Sequence, residues 1–566
     1  MKRLILKPVV LSQVILFVML CSVAWSAPPV IPEGAKTGAV QQSLQKEDVR
    51  KLPSLPEIII KDDEGRKFKG AEGVTVEVRE IAFDGNEVIS EDELRDVVKD
   101  FIGKTIEVND LQQIVDKVSS YYIKKLFVLT KVYIPPQTIE SGRVVVAIRE
   151  GRLGKVIVRG NERYKEELIQ NVMKIVRDRG ALSTADLERA LLLLMDYPGM
   201  SVKSTLMAGD APGTTDIIVD VTESKIWGIG LDYNNFGSRY VARNRFGING
   251  SLYNPFKYGD SLRAGFDIGE DDELYYGRLE YIFPVNYCGT KVGASYSYLE
   301  YTAGRELEVL DATGKSRIAS LWVSHPFVRS RSLSVFGDFG VDYKHLTNDI
   351  LDTQLYKDEL VVLRAGASVD WVDAWNGRNY FSATFRQGIK DNAIESRHEA
   401  DSTFTKTEFL ATRYQLFPYN INAVLSLGGQ ISADRLPSGE ELSVGGAGTV
   451  RGYGMGEYSG DSGVYGTLEV RVPFWSRDFK WIGAETWGFS MAFAAFIDAA
   501  SVSVKDAAID EVGSGEFIGQ GFGLRFALSP YVEAKIDWAR SVGGDEPQDE
   551  DFKNRGVWYF QLSAFY

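Results

Sequence analysis

Four short strings in this 566-residue chain carry residue types used in catalysis or cofactor binding, and each lacks a part. Gly460-Asp461-Ser462-Gly463 sets a serine beside glycines, as serine proteases do around their nucleophile. A triad also needs a histidine base, and His325, His345 and His398 stand in no protease-like setting. The Gly513-Ser514-Gly515 string does not complete a nucleophile elbow. His398-Glu399 followed by Asp401 offers metal-ligand types, but a zinc peptidase needs a second histidine four residues on. Gly446 to Gly452 imitates a dinucleotide-binding loop, yet no helical pattern follows to present its N-terminus to a phosphate. The sequence therefore predicts no catalytic residue, no metal site and no cofactor.

What must be positioned is then larger than a catalytic cluster. Lys2, Arg3 and Lys7 precede an apolar run from Val9 to Ala24, and Ala24 and Ser26 have the small-residue spacing of a signal-peptidase site. Residues 1–26 are expected to be a signal peptide. Leu20 is too bulky for a lipoprotein site at Cys21, so the mature chain would keep only Cys288 and form no internal disulfide. A net charge of −14 argues against a nucleic-acid partner, which requires a concentrated cationic face. Mean hydropathy of −0.13 argues against a bundle of membrane helices. The most apolar later window, Trp487 to Val504, contains Asp498.

From residue 225 onward the chain repeats segments of period two. Ile229, Leu231 and Tyr233 share one face, opposite Gly230, Asp232 and Asn234. Leu262, Ala264, Phe266 and Ile268 oppose Arg263, Gly265 and Asp267; Val532, Ala534, Ile536 and Trp538 oppose Glu533, Lys535 and Asp537. Strands between lipid and a wet lumen need this pattern, because only a helix or a closed barrel satisfies every backbone group in hydrocarbon. A soluble β-sandwich also alternates, but it buries its aromatic face. The terminal stripe Trp558, Phe560, Leu562, Ala564, Tyr566 resembles the end of an outer-membrane barrel. About sixteen transmembrane strands are expected over residues 225–566.

Residues 74–224 mix strands with amphipathic helices. Ser90, followed by Glu93, marks a helix start, and Leu111, Ile114, Val118, Tyr121 and Tyr122 lie at helical spacing. Strand–helix–helix–strand–strand occurs twice, over 74–150 and 151–224. Residues 27–73, rich in Pro, Gly and charge, read as a linker containing either a short polar helix from Thr37 to Arg50 or plain coil.

The string from Val132 to Gly151, with Pro135, Pro136, Gln137, Gly142, Glu150 and Gly151, resembles the POTRA domains of the outer-membrane transporters of two-partner secretion, the haemolysin secretion/activation family. Residues Gly180 to Val202 and Gly209 to Glu223 resemble that family's second POTRA domain. In the barrel half, Leu442–Tyr453 resembles its loop-six signature, with Val450, Arg451, Gly452 and Tyr453 as the core that barrel insertases share. Phe496 to Ala500 resembles a partner motif on a later strand, with Ala500 where the usual form has glycine.

The resemblance implies two α+β POTRA domains in the periplasm and a monomeric barrel in the outer membrane of a diderm bacterium. It implies that Arg451 folds into the lumen and meets Asp498, beside Phe496, and it leaves open whether residues 37–50 plug the pore. Its implied partners are outer-membrane lipid and a large, β-helical secreted exoprotein, recognised unfolded and threaded outward. Rival readings are a barrel-assembly insertase and a passive porin.

Overall fold

The computed structural model describes residues 31–45, 57–60, 74–127, 129–139, 141–177, 181–211, 213–389, 396–397, 399–480, 486–508, 511–553 and 555–566. The expected signal peptide, with its cleavage position and Cys21, lies outside them, as does His398.

From Trp227 onward the chain forms one closed barrel of sixteen antiparallel strands. Every strand pairs with its sequence neighbours, and Trp227–Asn234 closes the ring against Val557–Phe565, from Gly230 opposite Phe565 to Asn234 opposite Gln561. Closure removes the free edge that a sandwich would keep. The two faces divide as their chemistry requires. On the first strand Ile229 and Leu231 are 44% and 54% exposed, while Asp232, on the opposite face, is 6% exposed. Phe256, Tyr258, Tyr287, Trp375 and Tyr419 stand exposed on the turns at the end nearest the POTRA domains, the position of an interfacial aromatic girdle.

Strand lengths depart from the 9–11 residues that crossing requires, and run from 8 residues in Trp227–Asn234 to 20 in Thr353–Val372. The longest hairpin, Leu333–Ile350 with Thr353–Val372, turns through Leu351 and Asp352, both at positive φ. A two-residue turn of that kind matches the strand twist and lets the hairpin continue past the bilayer.

The upper lumen is filled from the other end of the chain. Helix α1 (Thr37–Leu44) packs through Val40 and Leu44 on Leu299, Tyr301, Ile350 and Tyr356 of the inner wall. Its first turn is clamped: Tyr301 Oη donates to Ala35 O at 2.6 Å, and Asn348 Nδ2 donates to Tyr301 Oη at 2.9 Å. Thr37 N donates in turn to Asn348 Oδ1 at 3.3 Å. Gly38 is required here, since a Cβ would stand 2.4 Å from Ser438 O. The helix ends at Leu44, earlier than Arg50, and residues 46–50 lie outside those described.

Each POTRA domain packs two helices on a small sheet. In the first, α2 (Glu91–Val98) starts where Ser90 Oγ accepts from Glu93 N, and α3 (Leu111–Lys124) buries Leu111, Ile114, Val118 and Tyr122. Both cover the sheet Glu80–Asp84, Arg143–Arg149, Lys131–Tyr133. In the second, α4 (Glu166–Arg177) and α5 (Thr184–Met195) cover Met200–Ala208, Thr214–Glu223 and Arg152–Arg159. The repeat extends to single atoms. Asn86 Nδ2 donates to Ile89 O and Asn161 Nδ2 to Tyr164 O, and each turn donates its backbone N–H groups to a carboxylate, Glu150 or Glu223. Burial opposes ionisation of Glu223, but Arg163 and three N–H donors outweigh it and hold its pKa below the usual range.

Since α1 occupies the upper lumen, deleting residues 37–45 should raise the ion conductance of the protein in planar bilayers. Unchanged conductance would show that α1 does not obstruct the pore.

Candidate functional site: the seat of loop six

Barrel strands eleven (Asn422–Ser432) and twelve (Ser462–Lys480) are joined by loop six, residues 433–461, which folds back inside the barrel. A two-stranded ribbon, Leu442–Val444 with Tyr458–Gly460, stiffens its stem. Val444, Val450, Tyr453, Tyr458, Val502 and Phe517 form an apolar cluster between loop and wall, and the methyl of Ala500 is buried within it. The residue that departs from the family's glycine thus packs against the loop.

At the tip, Arg451 is 7% exposed and Asp498, on strand thirteen (Thr486–Ser503), 1%. Arg451 Nε and Nη2 donate to the two Asp498 oxygens at 2.7 and 2.9 Å, and the Arg451 backbone N–H donates to the same carboxylate at 3.1 Å. This is the two-pronged geometry that a guanidinium and a carboxylate share. The guanidinium also lies 3.2 Å from the centroid of the Phe496 ring, which closes its other face.

The sequence-level expectation named one acidic partner, and the structure surrounds Arg451 with three. Its Nη1 donates at 3.1 Å both to Glu469 on strand twelve and to Asp537 on strand fifteen (Val532–Gly544). Arg525, on strand fourteen (Ser514–Ser529), bridges the same two acids, and Arg471 donates to Glu469. Three guanidinium groups therefore face three carboxylates. Arg451, Glu469, Asp498 and Asp537 are all buried, and unpaired charges here would be costly. In the sequence Glu469, Arg471, Arg525 and Asp537 are four charges among many on alternating strands, and only the barrel register brings them together.

Room for the tip comes from glycines at alternate positions of strand fourteen. A Cβ on Gly519 would lie 1.9 Å from Arg451 O, one on Gly521 2.5 Å from the Phe496 ring, and one on Gly523 2.0 Å from Asp537 Oδ1. Beside Arg451, Gly452 adopts φ +96°, and a Cβ there would meet the Arg540 backbone at 2.4 Å. Its N–H donates to Tyr559 Oη at 3.0 Å, while Tyr559 Oη donates to Tyr453 O. Tyr453 Oη donates to Gly543 O at 2.8 Å, and its ring meets Phe517 edge to face. Val450, Arg451, Gly452 and Tyr453 thus touch strands thirteen to sixteen.

Higher up, Arg397 donates to Asp461 Oδ1 at 2.7 Å and pairs with Glu441 and Glu511. Asp461 is the acid of the protease-like string; here it also accepts from Leu436 N, and Ser462 Oγ accepts from Ser432 N. No group of three or more His, Cys, Asp or Glu able to hold a metal occurs among the described residues.

The POTRA-motif residues lie far along the chain from this site and brace their own domain. Glu150 accepts from Glu87 N, Val88 N and Tyr122 Oη, and burial followed by this bond raises the Tyr122 phenol well above its ordinary value. The Gln137 side-chain amide pairs with both the N–H and C=O of Val145 at 2.8 Å, taking the place of a neighbouring strand. Gly142 has φ +79°, and a Cβ there would stand 2.4 Å from Glu77 O. Pro135 and Pro136 lead into this turn from Ile134, and Gly151 is buried where the domains join.

A sixteen-stranded barrel with an inward-folded, ion-paired loop and two POTRA domains defines an outer-membrane, polypeptide-handling pore. The chain belongs to the haemolysin secretion/activation protein ShlB/FhaC/HecB family, which matches residues 213–526, and its residues 76–151 match the ShlB-type POTRA domain. It is similar to the heme/hemopexin transporter protein HuxB of Haemophilus influenzae, 24% identical over 387 residues, 67% of this chain and 68% of that protein. It is also similar to the outer membrane transporter CdiB of Dickeya dadantii (strain 3937), 22% identical over 455 residues, 77% and 78% of the two chains. Among solved structures, CdiB from Escherichia coli superimposes with a TM-score of 0.74 at 18% identity, over 89% of this chain and 92% of that one. The barrel sits in the outer membrane, with the POTRA domains on the periplasmic side.

Arg451→Ala leaves buried acids without their fork and should cost the docked loop about 3–5 kcal/mol. Hydrogen exchange over residues 445–456 should then accelerate by a factor of about a hundred or more. Arg451→Lys keeps the charge but loses the fork and should fall between the two. Gly519→Val should release the loop similarly without touching an ion pair. Wild-type protection in Gly519→Val would mean that the glycine face does not make room for the loop.

Proposed function

We propose that this protein is the outer-membrane pore of a two-partner secretion system, which takes one exoprotein from the periplasm, unfolded, and passes it to the cell surface. The observation that carries this reading is the arrangement along the lumen. A cavity of about 1160 Å³ runs from Asp196 and Tyr197 of the second POTRA domain up to Gln41 and Gln42 of α1 and Gln45 at its end. Domain and barrel are joined at its mouth, where Arg329 donates to both Asp196 oxygens at 2.7 and 3.0 Å.

The cavity wall suits an unfolded chain. Lys344 and Lys406 pair with Glu440, and Arg386 with Glu408 and Asp342, so the wall carries closely spaced charges of both signs beside apolar side chains such as Trp322 and Phe336. Loop six and α1 fill the upper lumen, each held by polar contacts and by a small apolar cluster. In this account Arg451 and Asp498, with Phe496, keep loop six in its transport-competent seat, and α1 is the plug that leaves. The Glu150 and Gln137 contacts keep the first POTRA domain rigid. The partner is a large exoprotein that becomes β-helical outside the cell, where its folding supplies the drive. The barrel works as a monomer, without an enzymatic step.

Photo-crosslinkers at Ile123 and Met207, exposed on the first and second POTRA domains, test this in living cells. Capture of one large secreted polypeptide is the expected result. A mixture of barrel precursors would identify an insertase instead, and no capture from a correctly inserted protein would favour a porin.

A further inference from the structure

The outward face of barrel strands five to eight changes its chemistry along one register row. Strands five (Lys291–Thr302), six (Thr313–Arg329), seven (Leu333–Ile350) and eight (Thr353–Val372) stand side by side in the wall. Arg329 meets Asp196 of the second POTRA domain at their periplasmic end, so the Leu351–Asp352 turn faces the cell exterior. Tyr301, Asn348 and Tyr356 point inward, where they meet α1, and the residues that alternate with them point out.

On that outer face Ala294, Leu321, Val341 and Leu363 form one row, and Tyr296, Ala319, Tyr343 and Val361 the row above it. Tyr296 and Tyr343 are the amphipathic rings expected where hydrocarbon gives way to headgroups. One step higher Tyr298, Arg317, His345 and Glu359 lie in register, and beyond them Glu300, Lys315, Thr347 and Lys357. The charged zone therefore begins on the same line on all four strands.

Within it the charges are sorted. Lys315 Nζ stands 3.0 Å from Glu300, and Lys357 Nζ 2.6 Å from Glu359. Tyr298 Oη donates to Glu300 at 2.7 Å, and His345 Nδ1 lies 3.3 Å from Glu359. Both acids thus have their partners. Arg317 is exposed, faces the Tyr298 ring at 5.8 Å, and has no carboxylate within ion-pair distance among the described residues. Lys315 and Lys357 start about 10 Å apart, two strands across, and Arg317 about 7 Å below Lys315. Thr347 and His345 occupy the strand between, so an anion seated there is within reach of all three cations.

We infer that this patch binds the phosphate groups of an outer-leaflet glycolipid of the lipid A type, whose acyl chains lie along the apolar rows beneath. Arg317 offers a fork to a phosphate, and the two lysines offer point charges. Glu300 and Glu359 hold the lysine heads over the patch and compete with the phosphate for them. A free phosphate would use the same cations but gain nothing from the apolar rows. The inference rests on the outer-membrane position of the barrel and is independent of what the pore exports.

The test uses the full-length protein in detergent micelles, with bound lipid counted by native mass spectrometry. The probes are lipid A with both phosphates, lipid A stripped of phosphate, and inorganic phosphate as competitor. The phosphorylated form should bind at least tenfold tighter than the stripped form, and millimolar inorganic phosphate should leave it bound. Replacing Arg317, Lys315 and Lys357 together by Gln should weaken its binding about a hundredfold. Glu300→Gln should strengthen binding about threefold, because Lys315 loses its competing acid. Equal affinity for the stripped lipid, or unchanged binding by the triple variant, would overturn the inference. Displacement by inorganic phosphate would assign the patch to a free anion and overturn it as well. If the triple variant fails to fold, Glu300→Gln decides alone, and equal or weaker binding there would overturn the inference.

Discussion

A guanidinium group buried in a membrane barrel has to be paired, and the seat of Arg451 shows how much structure that requirement organises. Asp498 supplies a two-oxygen acceptor, Glu469 and Asp537 take the remaining donor, and Phe496 covers the ring face. The acids come from three separate strands, so the pairing fixes the loop tip relative to strands twelve, thirteen and fifteen together. Arg525 and Arg471 balance the surplus negative charge. A carboxylate cluster of this kind is stable only while the arginine is present, and loop six is therefore held by the wall's need as well as its own.

Backbone geometry makes the same contact sterically available. The lumen face of strand fourteen carries Gly519, Gly521 and Gly523, and the loop carbonyl, the Phe496 ring and the Asp537 carboxylate occupy the space their side chains would take. Above the tip, Arg397 ties Asp461 and Glu441 to Glu511, so the loop is held at its stem as well. Helix α1 rests against this loop: Gly34 approaches Met455 O and Gly38 approaches Ser438 O too closely to admit a Cβ. Helix and loop thus fit each other, and a movement of one changes the seat of the other.

Much of this was legible in the sequence, for physical reasons that differ by region. Strand alternation survives in one chain because lipid and water impose opposite demands on neighbouring residues, as at Leu231 and Asp232. The POTRA helices were readable from Ser90 with Glu93 and from the spacing of Leu111 to Tyr122. Arg451 and Asp498 were brought forward only by family resemblance, because nothing local distinguishes them from other lumen charges. Glu469 and Asp537 went unnoticed since their meeting depends on strand register across the barrel, which no short string records. The pairing of Glu57–Ile60 with Met200–Ala208 was hidden for a related reason: the two segments lie about 140 residues apart, and only the folded domain brings them together.

The central claim is that Arg451 and Asp498 act as one unit in moving a polypeptide outward. A double-mutant cycle on export of the crosslinked client tests it most directly, with Arg451→Ala, Asp498→Ala and the pair compared at equal barrel insertion. If the two act together, the double variant should export no less than the worse single variant, giving a large coupling between the residues. Additive losses would mean that each residue acts alone, and unimpaired export by the single variants would mean that seating loop six does not serve transport.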